Sequence, residues 1–346
     1  MINLRNDYCY FAHPEILKRM YELKEEIYVG YGEDALSLKA KKEILDLLNN
    51  PKSDIHFLTG GTISNKVFIS HVLKPYEAVI ACDSGHINVH ETGTIEQSGH
   101  KILIAPNKNG KLLPKDIENI CLSHSSEHMV KPALVYITDA TEYGTIYFLK
   151  ELKAIKEMCD KYGLYLFLDG ARLGVALTAK DNDIILEDLG KLTDAFYIGG
   201  TKNGALLGEA LVINNPKLNE EFRYSIKHFG GMYAKGFVAG LQFMVLFENG
   251  NDSLFFDIAR KQNKLADELR KVLKTLGFEL YNENSTNQVF FYADYDVSIK
   301  IQKEIDCEVF TKDLENKKDI IRFVTHYNTN EKDIEEVYTI LEKIVK

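Results

Sequence analysis

The sequence predicts an α/β protein, a three-layer fold around a mostly parallel seven-stranded sheet, followed by a smaller C-terminal α+β domain. Three observations carry this expectation: seven short apolar runs recur through the first two-thirds of the chain, helical periodicity fills several of the gaps between them, and the pattern changes after about Pro216. Continuous apolar runs are strands buried on both faces, and strands that alternate with helices build a largely parallel sheet covered on each side.

The seven runs are Ile55–Leu58, Ala78–Ala81, Ile102–Ala105, Leu134–Ile137, Tyr165–Leu168, Ala195–Ile198 and Ala210–Ile213. Between the fourth and fifth, Leu152, Ile155 and Met158 recur at three-residue spacing ahead of Gly163, which predicts a helix over Lys150–Lys161. Beyond Pro216 the spacing predicts helices from about Ala234 to Phe247 and from Ser253 to Leu276. Strands follow at Phe278–Tyr281, Gln288–Tyr292 and Ile320–Thr325, and a last helix opens near Glu331. The expected division is a large domain over 1–250, including the N-terminal segment, and a small α+β domain over 251–346. No proline-rich linker or low-complexity tract separates the two, so they are expected to pack closely.

The composition, 45% hydrophobic and 27% charged over 346 residues, is that of a soluble globular protein. A formal charge of −9 without clustered Lys or Arg argues against nucleic acid or an anionic membrane as partner. The first residues lack the apolar core of a signal peptide, and no apolar stretch reaches the roughly 20 residues that span a bilayer, so a cytoplasmic location is expected. Cys9, Cys82, Cys121, Cys159 and Cys307 are scattered without a Cys-x-x-Cys pair, and the ten histidines show no metal-ligand spacing. Neither a disulfide framework nor a metal is expected.

Three segments carry chemistry. Leu58-Thr59-Gly60-Gly61-Thr62-Ile63-Ser64-Asn65 passes from a strand into a helical stretch. Glycines let the backbone approach a ligand, and free N–H groups at a helix start favour a phosphate; a plain glycine-rich turn fits the segment equally well. Asp169 ends an apolar run, where open parallel sheets bind ligands, though a helix cap or solvated turn also uses such a carboxylate. Lys202 follows the next run, in Gly199-Gly200-Thr201-Lys202-Asn203-Gly204. Here the glycines leave room for a bulky group and Thr201 offers a hydroxyl to a phosphate. A phosphate cradle, a strand-end carboxylate and a hemmed-in lysine are together what pyridoxal phosphate chemistry requires: an amine for a Schiff base and a carboxylate for the pyridine nitrogen.

Further motifs run along nearly the whole chain. They are Asn6-Asp7-Tyr8 with His13-Pro14, Tyr31-Gly32-Glu33-Asp34, Ser84-Gly85-His86-Ile87 with Glu91-Thr92-Gly93, Asp169-Gly170-Ala171-Arg172, and Ile321-Arg322-Phe323-Val324-Thr325-His326. With them the chain resembles the threonine aldolase and β-eliminating lyase family of fold type I pyridoxal phosphate enzymes, above all its low-specificity L-threonine aldolases. The resemblance implies that His86 stacks on the cofactor ring, Asp169 partners the pyridinium nitrogen and Lys202 forms the Schiff base. Gly60, Gly61, Thr62 and Thr201 then serve the phosphate, and Arg172 and Arg322 the substrate carboxylate. Tyr31, Tyr143 and Tyr233 are candidates for the pocket wall.

Two departures stand out. Glu142 occupies the place of a histidine that handles the substrate hydroxyl in relatives, which makes Glu142, or His86 through water, the candidate base. Asn203 after the lysine marks a sub-group with another substrate. The implied reaction is cleavage of a β-hydroxy-α-amino acid such as L-threonine to glycine and an aldehyde. The alternatives are β-elimination or amino transfer on another amino acid, or a non-catalytic module that retained the fold. Fold type I enzymes build their sites at subunit interfaces, so a homodimer or homotetramer is implied.

Overall fold

The structure, a computed structural model, describes residues 2–346. All seven apolar runs are strands: β1 (Asp54–Leu58), β2 (Glu77–Cys82), β3 (Lys101–Ala105), β4 (Lys131–Thr138), β5 (Tyr165–Asp169), β6 (Ala195–Gly199) and β7 (Glu209–Ile213). They form one sheet in the order β1-β7-β6-β5-β4-β2-β3. Only β7 is reversed, pairing antiparallel with β1 and β6, while the other neighbours are parallel.

Because side chains alternate across a strand, each strand feeds two cores. Ile80 and Cys82 face one layer, where the helices Ala35–Leu48, Leu149–Tyr162 and Phe237–Phe247 pack; Val79 and Ala81 face the other, filled by Val67, Phe68 and Ile69 of the helix Gly61–Val72. The helix over Leu149–Tyr162 stops where expected, with Gly163 as its left-handed cap at φ 65°. No helix among the described residues is long and apolar enough to cross a membrane.

The C-terminal part is a three-stranded antiparallel sheet of β8 (Gln288–Asp294), β9 (Glu308–Asp313) and β10 (Lys318–Val324), with β10 in the middle. Here the sequence expectation needs correction. Phe278–Tyr281 is not a strand but makes a single bridge, Leu280 to Phe291. The edge strand is β9 instead, a polar, half-exposed segment whose pattern carries little apolar signal, and a helix over Tyr295–Glu304 also goes unpredicted.

The first residues, Ile2 to Leu4, lie with the small domain, whereas Ala12 and Ile16 pack in the large core. Ile2 and Asn3 pair in parallel with Ile305 and Asp306, Leu4 is buried in the small-domain core, and the Val324 N–H donates to the Leu4 carbonyl at 2.8 Å. The helix Leu254–Thr275 joins the two parts. Phe255 and Ile258 near its start belong to the large core, whereas Leu265, Leu269 and Leu273 belong to the small one.

Candidate active site

The parallel strands β4, β5 and β6 end on the same edge of the sheet, and the loops beyond them bring Glu142, Asp169 and Lys202 together. A cavity of about 650 Å³ opens there, between the large and small domains. Its walls include His86, Glu142, Arg172, Lys202, Glu308 and Arg322, with Tyr8 and Tyr143.

Asp169 is 3% exposed and accepts from four donors: Tyr136 Oη at 2.5 Å, Asn65 Nδ2 at 3.0 Å, the Ala171 N–H at 3.0 Å, and Tyr197 Oη. A buried carboxylate needs such donors, since an unpaired charge in the interior is expensive. Burial, then the adjacent Asp169 charge, push both phenols far above the usual tyrosine range, which keeps them protonated as donors. The same Asn65 amide nitrogen also donates to Glu91 Oε1 at 2.7 Å, and Glu91 holds His86 Nδ1 at 2.8 Å. Burial disfavours the imidazolium, yet the Glu91 hydrogen bond and the Asp169 charge outweigh it and raise the His86 pKa.

Lys202 stands in the opposite position. Burial first, and the Arg172 charge second, lower its pKa despite Asp7, Asp169 and Glu209, which favours the neutral amine that a nucleophile needs. The glycines around it do not leave room for a ligand, as the sequence suggested. A Cβ on Gly199 would collide with the Ala171 backbone, and Gly204 takes φ 88°, so these glycines fold the lysine loop tightly against its own scaffold. Asn203 is buried, and its amide donates to the Phe255 carbonyl at 2.8 Å, so within this chain it braces the lysine loop. Thr201 Oγ1 accepts the Gly208 N–H at 3.0 Å within the same loop.

Glu142 is partly buried. Thr138 Oγ1 donates to its carboxylate at 2.9 Å, and burial, reinforced by the Asp169 charge, pushes its pKa to about 7. A carboxylate tuned to neutrality and open to a cavity suits a general base. Glu209, given no role on sequence, starts β7 behind Lys202. Its Oε2 accepts the Gly200 N–H at 2.7 Å, and burial pushes its pKa to about 7 as well.

The two arginines are anchored differently. Arg172 grips Asp7 with Nε at 2.8 Å and Nη2 at 3.0 Å, and Asn287 Nδ2 also donates to Asp7 at 3.0 Å. Arg322 donates through Nη1 to Gln288 Oε1 at 3.2 Å and through Nη2 to Glu308. Gln288 in turn donates to the Thr141 carbonyl at 3.1 Å, next to Glu142.

The helix Gly61–Val72 begins at Gly60 without a side-chain cap, which leaves its first N–H groups free of a side-chain acceptor. A Cβ on Gly61 would stand 2.7 Å from Tyr197 Oη, the hydroxyl that holds Asp169, so glycine is required where the turn crosses the site. An uncapped helix start, a four-donor carboxylate and a lysine of lowered pKa, all at one sheet edge, fit pyridoxal phosphate at its phosphate, ring nitrogen and aldehyde respectively. Tyr31 and Tyr233 lie elsewhere within this chain. They line a small cleft with His56 and Arg223, because the Tyr31 N–H is bonded to the Ala234 carbonyl at 2.9 Å.

Asn65, Glu91, Asp7, Gln288 and Glu209 complete the site without a role assigned from sequence. Each is buried and polar in the fold, a property that a single sequence does not display.

The β-eliminating lyase family profile matches residues 3–296. A solved threonine aldolase from Leishmania major is 41% identical and superposes with a TM-score of 0.97, covering 100% of both chains. Low-specificity L-threonine aldolases of Pseudomonas aeruginosa and of a Pseudomonas species are each 33% identical, over 64% and 68% of this chain. The aligned part spans 64% and 69% of those relatives' own length. With a family profile over most of its length and a full-length structural relative at that identity, the chain belongs to the threonine aldolase and β-eliminating lyase family of fold type I enzymes.

Proposed function

We propose that this chain is a pyridoxal phosphate-dependent lyase that cleaves β-hydroxy-α-amino acids such as L-threonine into glycine and an aldehyde. The observation that carries the reading is the convergence of Lys202, Glu142 and two arginines on one cavity, with the four-donor carboxylate of Asp169 buried at the same sheet edge. Relatives named as threonine aldolases, similar over much or all of the chain, support the same reaction. When bound, the cofactor supplies an electron sink for the pair released at the substrate Cα.

The residues divide the remaining work. Lys202 would offer the amine, Asp169 would partner the ring nitrogen and favour its protonated form, and His86, held by Glu91, would pack against the ring. Gly60, Gly61 and Thr62 would offer backbone N–H groups to the phosphate, and Thr201 its hydroxyl. Arg322 would fix the substrate carboxylate, with Arg172, whose Nε and Nη2 are held by Asp7, beside it as a second positive charge, and so decide which bond at Cα is oriented for cleavage. Glu142, poised near neutrality, takes the β-hydroxyl proton as the Cα–Cβ bond breaks.

The assembly is proposed to be a homodimer or homotetramer, in the cytoplasm. Several large apolar side chains of the N-terminal segment are exposed, with Phe11 at 79%, Tyr21 at 70% and Ile27 at 96%, in the same segment as Tyr8 of the cavity. Exposed apolar side chains of this size favour burial against a partner. Light scattering on the eluted protein gives the copy number, and a monomer would remove this part of the reading.

The test of the reaction is a product assay. Protein reconstituted with pyridoxal phosphate should convert L-threonine to glycine and acetaldehyde, and Lys202→Ala should lose both the visible cofactor band and turnover. Pyruvate and ammonia in place of glycine would move the chain to the eliminating branch, and a fully active K202A protein would sink the mechanism.

A further inference from the structure

The two arginines of the cavity differ in which edge of the guanidinium is free. A carboxylate is held in two-pronged fashion along the edge formed by Nε and Nη2. On Arg172 that edge is filled by Asp7, whose side chain is 0% exposed. On Arg322 the Nε is buried with no partner among the described residues, and Nη2 is taken by Glu308. The remaining Nη1 is tied to Gln288, which is itself fully buried and fastened to Thr141. The Nε–Nη2 edge of Arg322 is thus unfilled for a two-pronged carboxylate: Nε is buried and unpartnered, and one resident carboxylate stands on Nη2.

Glu308 is suited to leave. It faces Arg322 directly across the β9–β10 pair, on the edge strand, and the register slips between Val309 and Thr311 just beyond it. Its side chain is 42% exposed against 14% for Arg322, and Arg322 is its one side-chain hydrogen-bond partner. An ion pair with one solvated member is worth little, so a second carboxylate that takes Nη2 together with the buried, unpartnered Nε displaces it at small cost.

Resting on the reading that Arg322 receives the substrate carboxylate, we propose that Glu308 is a placeholder carboxylate. It occupies Arg322 Nη2 in the empty site and is displaced by the substrate's own carboxylate, so that it sets substrate affinity by competition. A ligand that must expel a resident group binds more weakly by the stability of the resident pair.

The test uses the cofactor-loaded enzyme, with glycine binding followed by calorimetry and threonine cleavage by steady-state kinetics. Glu308→Gln retains the shape and removes the competing charge. The glycine Kd and threonine KM should fall about three- to tenfold, the size of a weak ion pair, with kcat moving less than KM. An amino alcohol without a carboxylate, 2-aminoethanol, should bind the variant and the parent alike. Glu308→Ala serves as a second variant, its fold checked by thermal denaturation.

Unchanged or weakened glycine binding in both well-folded Glu308 variants would overturn the proposal, the second result meaning that Glu308 orients Arg322 instead. A parallel gain for 2-aminoethanol would also overturn it, since the effect would not be specific to carboxylates. Arg322→Gln separates this from failure of the underlying reading. If R322Q binds glycine normally, Arg322 is not the carboxylate site; if R322Q weakens glycine but E308Q changes nothing, only the placeholder role is lost.

Discussion

Asp7 and Arg172 form a two-pronged ion pair at 2.8 and 3.0 Å that joins the chain start to the loop after β5. Both side chains are buried, at 0% and 11% exposure, and Asn287 completes the Asp7 shell. Burial pushes the Asp7 pKa up, but the charges of Arg172 and Lys202 and the Asn287 hydrogen bond override it, leaving it below the usual carboxylate value. Asp7→Ala strands a buried guanidinium and should cost about 3 kcal/mol or more. Urea denaturation at neutral pH measures this. The sign with pH follows from the lowered pKa: the stabilisation is complete above the unfolded value near 4 and is lost as pH falls through the folded one. D7A should therefore lose less relative to the parent in acid than at neutrality.

Asn65 is fully buried and does not line the cavity, yet it connects Glu91 and Asp169 through one amide nitrogen. Asn65→Leu preserves volume and removes the donor from two buried carboxylates. The expected loss is about 1–3 kcal/mol of stability, together with weaker pyridoxal phosphate binding in a spectral titration, because Asp169 and the Glu91-held His86 both lose alignment. A variant with unaltered cofactor affinity would show that Asp169 needs only its tyrosines.

Glu209 separates a structural from an electrostatic role by two substitutions. Glu209→Gln keeps an acceptor for the Gly200 N–H but removes a charge that raises the Lys202 pKa. The pH at which the visible cofactor band titrates should move down, with the melting temperature little changed. Glu209→Leu leaves that N–H without its side-chain acceptor and should destabilise by about 1–3 kcal/mol. An unmoved band in E209Q would assign the residue to the turn alone.

The large domain was legible because its signal is apolar and periodic. Strands such as Val79–Ala81 are buried on both faces, and a run without polar interruption announces that directly. The small domain was half legible: β8 and β10 carry apolar residues, but β9 is an exposed edge strand with polar side chains, and nothing local distinguishes it from a loop. The candidate site residues Lys202 and Asp169 were legible because each stands at the end of an apolar run. Their supports were not. Asp7 meets Arg172 and Asn65 meets Asp169 across long stretches of chain, and such pairings exist only once the strands have been ordered. The loop glycines were misread for the same reason, since their neighbours are backbone atoms remote in sequence.

Glu142 is where charge, burial and position agree on a base. Burial, with the Asp169 charge added, pushes its carboxyl to about 7, while the Thr138 hydroxyl holds one oxygen at 2.9 Å. The cleavage rate should therefore rise with pH through about 7 as the carboxylate forms, and Glu142→Gln should remove that limb and lower kcat by about 10²-fold or more. Stability moves the other way. A carboxyl whose pKa is raised by folding stabilises the folded state below its unfolded value, and that contribution is lost as pH rises through about 7. E142Q, which carries no charge at any pH, should then denature later than the parent at about pH 8, and the gap should close toward about pH 4. A parent enzyme whose pH limb survives in E142Q would transfer the role of base to another group, with His86 the remaining titratable side chain nearest the same carboxylate network.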